Sequence, residues 1–219
     1  MSETVRRMNR DESSPTGRSE TADPSKSTER AAIQMCQAGD ISGLEALYSL
    51  YSEKVFRTCY RILGDRAAAE DQTHEVFLHV FRKIDRFRGR STFSTWLYRL
   101  TVNQTLNRLR SRKRRLLKML GMEFVEGMAG KGPAPDREVL RNEQSDVVQQ
   151  MLSSLSAEHR TVLVLREIEE LSYREISSIL EIPRGTVMSR LYRARRELKS
   201  AFLSGNSEDP TSVQKGAGR

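Results

Sequence analysis

The sequence predicts an all-α protein made of two small helical domains joined by a flexible linker. Three observations lead to this fold class. Apolar residues recur at helical spacing along most of the 219 residues, residues suited to helix caps separate these stretches, and no alternating strand pattern of useful length occurs. The hydrophobic fraction of 37% and the charged fraction of 30% fit small cores under large solvated surfaces.

Composition divides the chain into five segments. Residues 1–30 mix Ser, Thr and charges of both signs with almost nothing apolar to bury, so we expect a disordered N-terminal arm. Helical patterns fill residues 31–117 and 139–203, which we expect to form the two domains. Between them, residues 118–138 are rich in Gly and Pro and predict the linker. Residues 204–219 are expected to form a disordered tail.

Capping residues mark the helices of the first domain. The stretch "AAIQMCQAGD" turns at Gly39, and "ISGLEALYSLYSEKVFRTCYRILGD" ends at Gly64, a residue type that favours a helix C-terminus. Asp65 is suited to cap the third helix, "AAAEDQTHEVFLHVFRKIDRF". A long fourth helix is expected from about Thr92 into "LRSRKRR".

The charge balance and the cysteines indicate the class of partner and the compartment. A net charge of +8 favours an anionic partner, either nucleic acid or a membrane surface. No apolar run reaches the ~18–20 residues that a membrane span needs, and no signal-peptide core is visible, so we expect no membrane insertion. Cys36 and Cys59 have no metal-binding spacing. Two free thiols of this kind are typical of a reducing cytoplasm, where we expect the protein to act.

The stretch "LSYREISSILEIPRGTVMSRLYRARREL" predicts a helix-turn-helix. Ser172 and Glu175 form a capping box for a short first helix, and Pro183 suits the start of the second. Glu181 stands in the turn, where a left-handed residue other than Gly carries strain. Six basic residues and one acid between positions 184 and 199 give a net charge of +5 opposite an apolar stripe. This pattern favours a helix that enters a DNA major groove, although an amphipathic hairpin with a solvated basic face has the same pattern.

The long helix of the first domain carries three strips of different chemistry. Two strips are apolar, with Phe93, Leu97 and Leu100 on one side and Tyr98, Val102 and Leu109 on another; the third carries Trp96, Arg99, Asn103 and Arg110. Twelve basic residues and one acid between positions 82 and 115 give a net charge of +11. Basic surfaces with aromatic side chains bind single-stranded nucleic acid through phosphate charge and base stacking. Trp96 taken alone fits a core position equally well.

The third helix contains His74, Glu75 and His79, which together resemble the H-E-x-x-H motif of zinc proteases. The two histidines are five residues apart rather than four, so their imidazoles diverge by about 140° around the helix. Further ligands are missing as well, so we expect no metal and no other cofactor. One side of this helix is an apolar arc formed by Val76, Phe77, Val80, Phe81 and Ile84. The opposite face carries Asp71, Glu75, Leu78 and Arg82. That face is either a protein-binding surface or an ordinary solvated one.

Both domains resemble a known family. The stretches "AEDQTHEVFLHVFRKIDRFRGRSTFSTWLYRLTVN" and "LSAEHRTVLVLREIEELSYREISSILEIPRGTVMSRLYRARREL" are similar to the two domains of extracytoplasmic-function (ECF) sigma factors, the smallest sigma-70 proteins. The likeness covers about residues 39–115 and 138–202, in the expected order and with a linker between them. It implies a non-enzymatic protein that directs bacterial core RNA polymerase to promoter DNA and is often held inactive by an anti-sigma factor.

The resemblance also implies roles for individual residues. The clamp helices of the polymerase β′ subunit would bind Asp71, His74, Glu75, Leu78 and Arg82, although the family usually has Gln at position 74. The −10 element would be opened and held by Phe87, Arg88, Gly89, Ser91, Trp96, Arg99, Asn103 and Arg110. The −35 element would be read by Tyr173, Arg174, Arg184, Thr186, Ser189, Arg190, Tyr192, Arg193 and Arg196. The linker would run along the path of the nascent RNA on the polymerase, in contact with its β subunit.

Other functions remain compatible with parts of the sequence. A stand-alone helix-turn-helix regulator would use the first domain as a sensor or for dimerisation, but a sensor has no need of a second nucleic-acid face. An RNA-binding or anti-termination protein would prefer RNA to promoter DNA. An enzyme is supported only by the imperfect His-Glu pattern.

Overall fold

The structure, a computed structural model, describes residues 24–120 and 143–205. These residues form helices and turns and contain no strand. The helices are α1 (Pro24–Gln37), α2 (Ile41–Leu63), α3 (Arg66–Lys83), α4 (Phe93–Met119), α5 (Glu143–Ser153), α6 (Ala157–Leu163), α7 (Tyr173–Leu180) and α8 (Arg184–Gly205). A 3₁₀ turn, Ile84–Arg86, follows α3, and a π-helical turn, Val164–Ile168, follows α6. The predicted all-α class is confirmed.

The predicted caps lie where the sequence indicated them. Gly64 has a left-handed backbone with φ 78°, and its N–H donates to the Tyr60 carbonyl at the end of α2. The Asp65 carboxylate accepts from the Ala68 N–H at 2.8 Å. Thr92 Oγ1 accepts from the Thr95 N–H at 3.2 Å and begins α4. These side chains and backbone groups satisfy donors and acceptors that helix ends leave open.

Three helix ends differ from the expected boundaries. Helix α1 begins at Pro24, within the stretch expected to be a disordered arm, because Ala32 and Cys36 bury on α2 and stabilise the turns before them. Helix α4 continues to Met119 and α8 to Gly205, two residues beyond the domain boundaries expected there. Residues 1–23 of the expected arm, most of the expected linker and residues 206–219 of the expected tail lie outside the described residues.

The core of the first half is formed by α1 to α4. Its fully buried side chains include Leu47, Val55, Val76, Val80 and Phe93. The apolar arc of α3 and the first apolar strip of α4 therefore face this core, as predicted. Helices α1 and α2 approach closely at Gly43, where a Cβ atom would lie 2.5 Å from the backbone N of Cys36 and 2.6 Å from the carbonyl of Ala32.

The second core joins the two halves of the chain. It contains buried residues of α5 to α8, among them Ile176 and Leu191, together with Ile62, Tyr98 and Val102 of the first half. Tyr98 and Val102 of the second apolar strip of α4 thus lie in the core shared with the second half, and Leu109 packs against both cores. Burial of this kind favours docking of the halves through the hydrophobic effect.

The buried guanidinium of Arg160 also links the halves. Its Nη1 donates to the Ile62 carbonyl at 2.7 Å, and its Nη2 donates to the carbonyls of Ser153 and Leu155 at 3.0 and 3.3 Å. A cation at the C-terminal ends of α2 and α5 satisfies open carbonyls and complements both helix dipoles. Burial lowers the pKa of Arg160, yet the group stays charged because its ordinary pKa is so high.

Within residues 24–120 and 143–205, no helix combines the length and the apolar character needed to cross a bilayer.

Substitution of Gly43 by Ala should destabilise the first half. The added Cβ atom would meet backbone atoms of α1 that cannot move aside, so we expect the free energy of unfolding to fall by about 1–3 kcal/mol. Chemical denaturation followed by circular dichroism measures this loss. Gly185→Ala is the matched control, because no atom lies within 4 Å of its added Cβ. An unchanged midpoint for Gly43→Ala would contradict the close approach of α1 and α2.

Candidate nucleic-acid interface

A shallow groove lies between the end of α3 and the first turns of α4. Its volume is about 180 Å³, and its lining residues are Lys83, Arg86, Trp96, Arg99, Leu100 and Asn103. The spacing of 96, 99 and 103 along α4 aligns three of these side chains on one helix face. The groove therefore combines three cations, one indole ring and one exposed amide.

The loop before α4 is held in position by aromatic packing. The ring of Phe87 lies 5.6 Å from that of Phe93 and 5.7 Å from that of Trp96, measured between centroids. Gly89 has φ 67°, a backbone conformation that glycine adopts without strain. The Thr92 cap then starts α4 at a fixed point. The groove is thus built on packed elements, with Arg88 and Ser91 exposed in the loop beside it.

Trp96 has both of the roles that its sequence position left open. Its ring packs against the first core and lies 5.7 Å from the ring of Phe93, measured between centroids. The residue is only half-buried, and it lines the groove as well. An indole fixed by packing on one side and open on the other is suited to stack on a nucleobase.

The groove includes residues that the sequence prediction missed, and five that it named are not among the lining residues: Phe87, Arg88, Gly89, Ser91 and Arg110. Lys83, at the end of α3, and Arg86, in the 3₁₀ turn that follows, line the groove opposite α4. Their i,i+3 spacing beside the aromatic loop was the available signal. Arg110 belongs to the same strip of α4 but is not among the lining residues, and its Nη1 donates to Asn107 Oδ1 at 3.3 Å. The groove thus occupies only the N-terminal half of the predicted strip.

The electrostatics of the groove favour an anion. No acidic side chain is among its described lining residues, so Lys83, Arg86 and Arg99 have no counter-charge within the lining itself. Arg99 is partly engaged elsewhere: its Nη2 donates to the carbonyl of Ser178 at 2.7 Å and to its hydroxyl at 3.0 Å. Cations beside an exposed ring and an amide can hold a phosphate and a base together.

The outward face of α3 has different chemistry. Asp71, Glu75 and Arg82 are exposed, and the exposed fraction of Leu78 is 46%. Asp71 Oδ2 lies 3.2 Å from Nη2 of Arg108, an exposed ion pair of small energetic weight. An apolar side chain flanked by charges of both signs is suited to a protein partner more than to DNA.

His74 lies at the edge of that face and is engaged locally. Its Nδ1–H donates to the carbonyl of Glu70 at 2.9 Å, and its ring stacks on Tyr48 with centroids 6.2 Å apart. His79 is half-buried, whereas His74 is exposed, so the two imidazoles lie in different environments. This arrangement does not join them around a common ligand.

Helices α7 and α8 form the predicted helix-turn-helix. Ser172 and Glu175 make both hydrogen bonds of a capping box at the start of α7. Those hydrogen bonds lower the pKa of the Glu175 carboxyl, so it stays charged at neutral pH. Glu181 adopts the left-handed conformation with φ 56° and lets the chain turn. In α8, Val187 and Leu191 are buried, which fixes the rotation of the helix and exposes its basic side.

The exposed side of α8 contains most of the side chains predicted to read DNA. Arg184, Ser189, Tyr192, Arg193 and Arg196 are exposed there, and Arg174 is exposed on α7. Thr186 is half-buried in the first turn of α8, and Tyr173 packs on the second core with Arg166 above its ring. Met188, 56% exposed, shares the surface and was missed because a lone apolar residue carries no signal in a basic stretch.

Ion pairs fix the flanks of α8. Arg190 Nη2 lies 2.7 Å from Glu158, and Arg195 Nη2 lies 2.6 Å from Glu167. Arg190 therefore engages α6, which distinguishes it from Arg193 on the outward side. Val187, Arg190 and Arg195 lie within an arc of about 140° around the helix, so α8 is held along one side and its opposite side is open.

Comparison with known proteins matches both halves of the chain. A family model described as sigma-70 region 2 matches residues 47–115, and one described as sigma-70, region 4, matches residues 145–198. The ECF RNA polymerase sigma factor SigW of Bacillus subtilis is 35% identical over 173 residues, which cover 76% of this chain and 92% of SigW. This chain belongs to the ECF sigma factors.

Other relatives support the same assignment. The RNA polymerase sigma-H factor of Pseudomonas aeruginosa is 35% identical over 78% of this sigma factor and 91% of its own length. The ECF RNA polymerase sigma-E factor of Escherichia coli K12 is 34% identical over 78% and 92%, respectively. A sigma factor directs RNA polymerase in promoter-specific initiation of transcription, and that is the function of this chain.

Solved structures show the same fold. CnrH, determined in complex with the cytosolic domain of CnrY, has a TM-score of 0.58 at 21% identity and covers 82% of this sigma factor and 99% of its own chain. The sigma factor RpoE of Bartonella quintana, determined with the anti-sigma factor NepR, has a TM-score of 0.57 at 23% identity, with coverages of 73% and 96%.

Binding of a single-stranded oligonucleotide to the groove should quench the fluorescence of Trp96, the only tryptophan in the sigma factor. Lys83→Gln and Arg86→Gln should each weaken the salt dependence, because each removed phosphate contact lowers the slope of log K against log salt by about 0.7. Titrations at four salt concentrations measure the slopes. Arg66→Gln is the control: Arg66 lies at the other end of α3, about 25 Å from Lys83 at 1.5 Å per residue. Equal slopes for all variants would contradict phosphate binding in the groove.

Proposed function

We propose that this sigma factor distributes three tasks over three separate surfaces. The outward face of α3 binds core RNA polymerase, the groove on α4 receives the −10 element, and the exposed side of α8 reads the −35 element. One observation carries this proposal: the described residues present two separate basic surfaces, and only that of α8 belongs to the helix-turn-helix. A stand-alone regulator needs only that second surface.

The groove is suited to a promoter strand that has been opened. Opening a duplex costs unstacking, and a protein offsets this cost by receiving bases that have left the stack. Trp96 offers an aromatic surface and Asn103 an exposed amide, while Lys83 and Arg86 offer charge for phosphates. Phe87, Arg88, Gly89 and Ser91 lie in the loop beside the groove, and Arg110 would contact the strand further along α4.

The exposed side of α8 is suited to a major groove. Recognition helices contact base edges with residues of their N-terminal half, and flanking arginines hold phosphates. Ser189, Tyr192 and Arg193 are exposed in that part of α8, next to Arg184 and Arg196. Arg190, which pairs with Glu158, supports the helix and the phosphate contacts more than the reading of bases.

The proposed partners follow from these surfaces. The outward face of α3 binds the clamp helices of the β′ subunit, and the segment between the two halves contacts the β subunit. The chain is not an enzyme and needs no cofactor, because polymerase supplies the chemistry. We also propose an anti-sigma partner, since the structural neighbour RpoE of Bartonella quintana was solved in complex with the anti-sigma factor NepR. Action in the cytoplasm follows from the location of bacterial RNA polymerase.

Charge reversal at Glu75 should impair binding to core polymerase. Glu75→Lys changes an exposed acid at the centre of the proposed interface, and like charges across an interface weaken binding by about tenfold or more. Run-off transcription with purified core polymerase should fall, and native gel titration should report the lost affinity. Glu45→Lys, an equivalent exchange at an exposed glutamate of α2, should leave both unchanged. Equal loss in the two variants would contradict a specific interface on α3.

Arg193→Ala should relax the preference for one base pair of the −35 element by about 1–3 kcal/mol, because a bidentate contact to guanine would be lost. Competition of holoenzyme for promoters with single-base changes measures this effect. Arg190→Ala should leave the preference intact and reduce thermal stability, since Arg190 is paired with Glu158. A uniform loss of affinity for all sequences in Arg193→Ala would identify a phosphate contact instead.

A further inference from the structure

The carboxylate of Glu169 is buried in the seam between the two halves. Its side chain is 1% exposed. It accepts hydrogen bonds from Nε and Nη2 of Arg57, each at 2.9 Å, and from the hydroxyl of Tyr98 at 2.5 Å. Both donors belong to the first half, on α2 and α4, whereas Glu169 belongs to the second. The bidentate contact between a guanidinium and a carboxylate is a strong type of hydrogen-bonded ion pair.

The backbone around Glu169 departs from regular helix to deliver this side chain. The π-helical turn ends at Ile168, and the N–H of the next residue, Glu169, donates to the carbonyl of Val164 at 3.1 Å. Glu170 follows with a left-handed φ of 55°. Such a conformation in a residue other than Gly costs about 1 kcal/mol or more, and π turns concentrate at functional sites. Both features precede the helix-turn-helix, whose first cap is Ser172.

Burial also keeps the donor at Tyr98 protonated. Desolvation, followed by the hydrogen bond to Glu169, raises the pKa of Tyr98 far above its usual range. The hydroxyl therefore donates at any physiological pH, and the carboxylate is held by one neutral and one charged donor. The hydrogen bond to Glu169 also raises the pKa of Arg57.

Docking of the two halves also engages Arg99, a residue of the groove. Arg99, which lines the groove, donates to the carbonyl and the hydroxyl of Ser178 in α7, and its Nη1 lies 3.5 Å from Glu181 Oε1. Its Nε is buried and has no hydrogen-bond partner within the described residues. The guanidinium of Arg99 is thus bound by α7 and is not available to a phosphate in the groove. A DNA strand bound in the groove would compete with α7 for Arg99.

From these contacts we propose that Glu169 is a latch that closes the free sigma factor and inhibits its own −10 groove. The proposal rests on the proposed function of that groove. In the closed state the second half occupies Arg99 and fixes the distance between the groove and α8. Binding of polymerase and promoter separates the halves and frees Arg99. Closure needs no other protein, because the groove residue Arg99 is bound by the second half of the same chain.

An ion pair with one buried member is suited to such a switch. The side chain of Glu169 is 1% exposed and that of Arg57 is 38% exposed. In the open state water hydrates both groups, and in the closed state the attraction of Arg57 offsets the hydration that Glu169 loses, so closure is reversible. Removal of the Arg57 charge leaves the Glu169 carboxylate buried without a counter-charge, which strongly disfavours closure.

Arg57→Gln in the full chain tests the latch, because it leaves the Glu169 carboxylate buried without a counter-charge. We expect a larger radius of gyration by small-angle X-ray scattering, because the halves separate. We also expect at least about fivefold tighter binding of a single-stranded oligonucleotide, followed by Trp96 fluorescence, which is the lower end of typical coupling between sites. Tyr98→Phe, which removes one hydrogen bond and keeps the ring, should shift both measurements less and in the same direction.

Arg66→Gln is the matched control. It makes the same change of charge in the first half, but Arg66 pairs with Glu70 within α3. It should change neither the radius of gyration nor the affinity. Equal effects of Arg66→Gln and Arg57→Gln would overturn the latch in favour of a general effect of charge.

The remaining outcomes separate the latch from the groove. If wild type binds the oligonucleotide and neither Arg57→Gln nor Tyr98→Phe changes size or affinity, the latch is wrong and the groove stands. If no variant binds, the groove has no role in DNA binding and the inhibitory role of the latch fails with it. The scattering result would then still decide whether Glu169 holds the halves together.

Discussion

The burial of α4 on two sides is the constraint on which the other surfaces depend. Phe93 and Leu97 bury in the core of the first half, and Tyr98 and Val102 bury against the second half. Only the strip between these two sides is left for a ligand, and it carries Trp96 with its neighbours. The position of the groove, the docking of the halves and the accessibility of Arg99 are therefore consequences of how a single helix is rotated.

Local chemistry explains which features could be predicted from the sequence. Caps at Asp65, Thr92 and Ser172 act within three residues, and the apolar stripes of α4 and α8 follow from helical spacing. These features need no knowledge of the tertiary structure. The family resemblance extended the prediction to the order of the domains, and both halves match family models. The groove was predicted in part, through Trp96, Arg99 and Asn103.

Features that depend on long-range contacts could not be predicted in this way. The sequence indicated that the second apolar strip of α4 is buried but not that its partner is the second half of the chain. Lys83 and Arg86 line the groove because the end of α3 and the 3₁₀ turn that follows lie opposite α4. The separation of Arg190 from Arg193 depends on Glu158, more than 30 positions away. Helix α1 begins before the expected boundary because its apolar residues are buried against α2.

The two halves are held together by charges that would each be costly to bury alone. Arg160 places a cation on carbonyls at the ends of α2 and α5, and Glu169 places an anion on Arg57 and Tyr98. Apolar burial alone favours many relative orientations, whereas buried hydrogen-bonded charges tolerate only the orientation that satisfies them. The charged contacts therefore make the seam specific and add little stability of their own, because attraction mainly offsets lost hydration, while the shared apolar core favours docking. In the proposed latch, a polyanion such as DNA would compete with α7 for Arg99 and favour the open state.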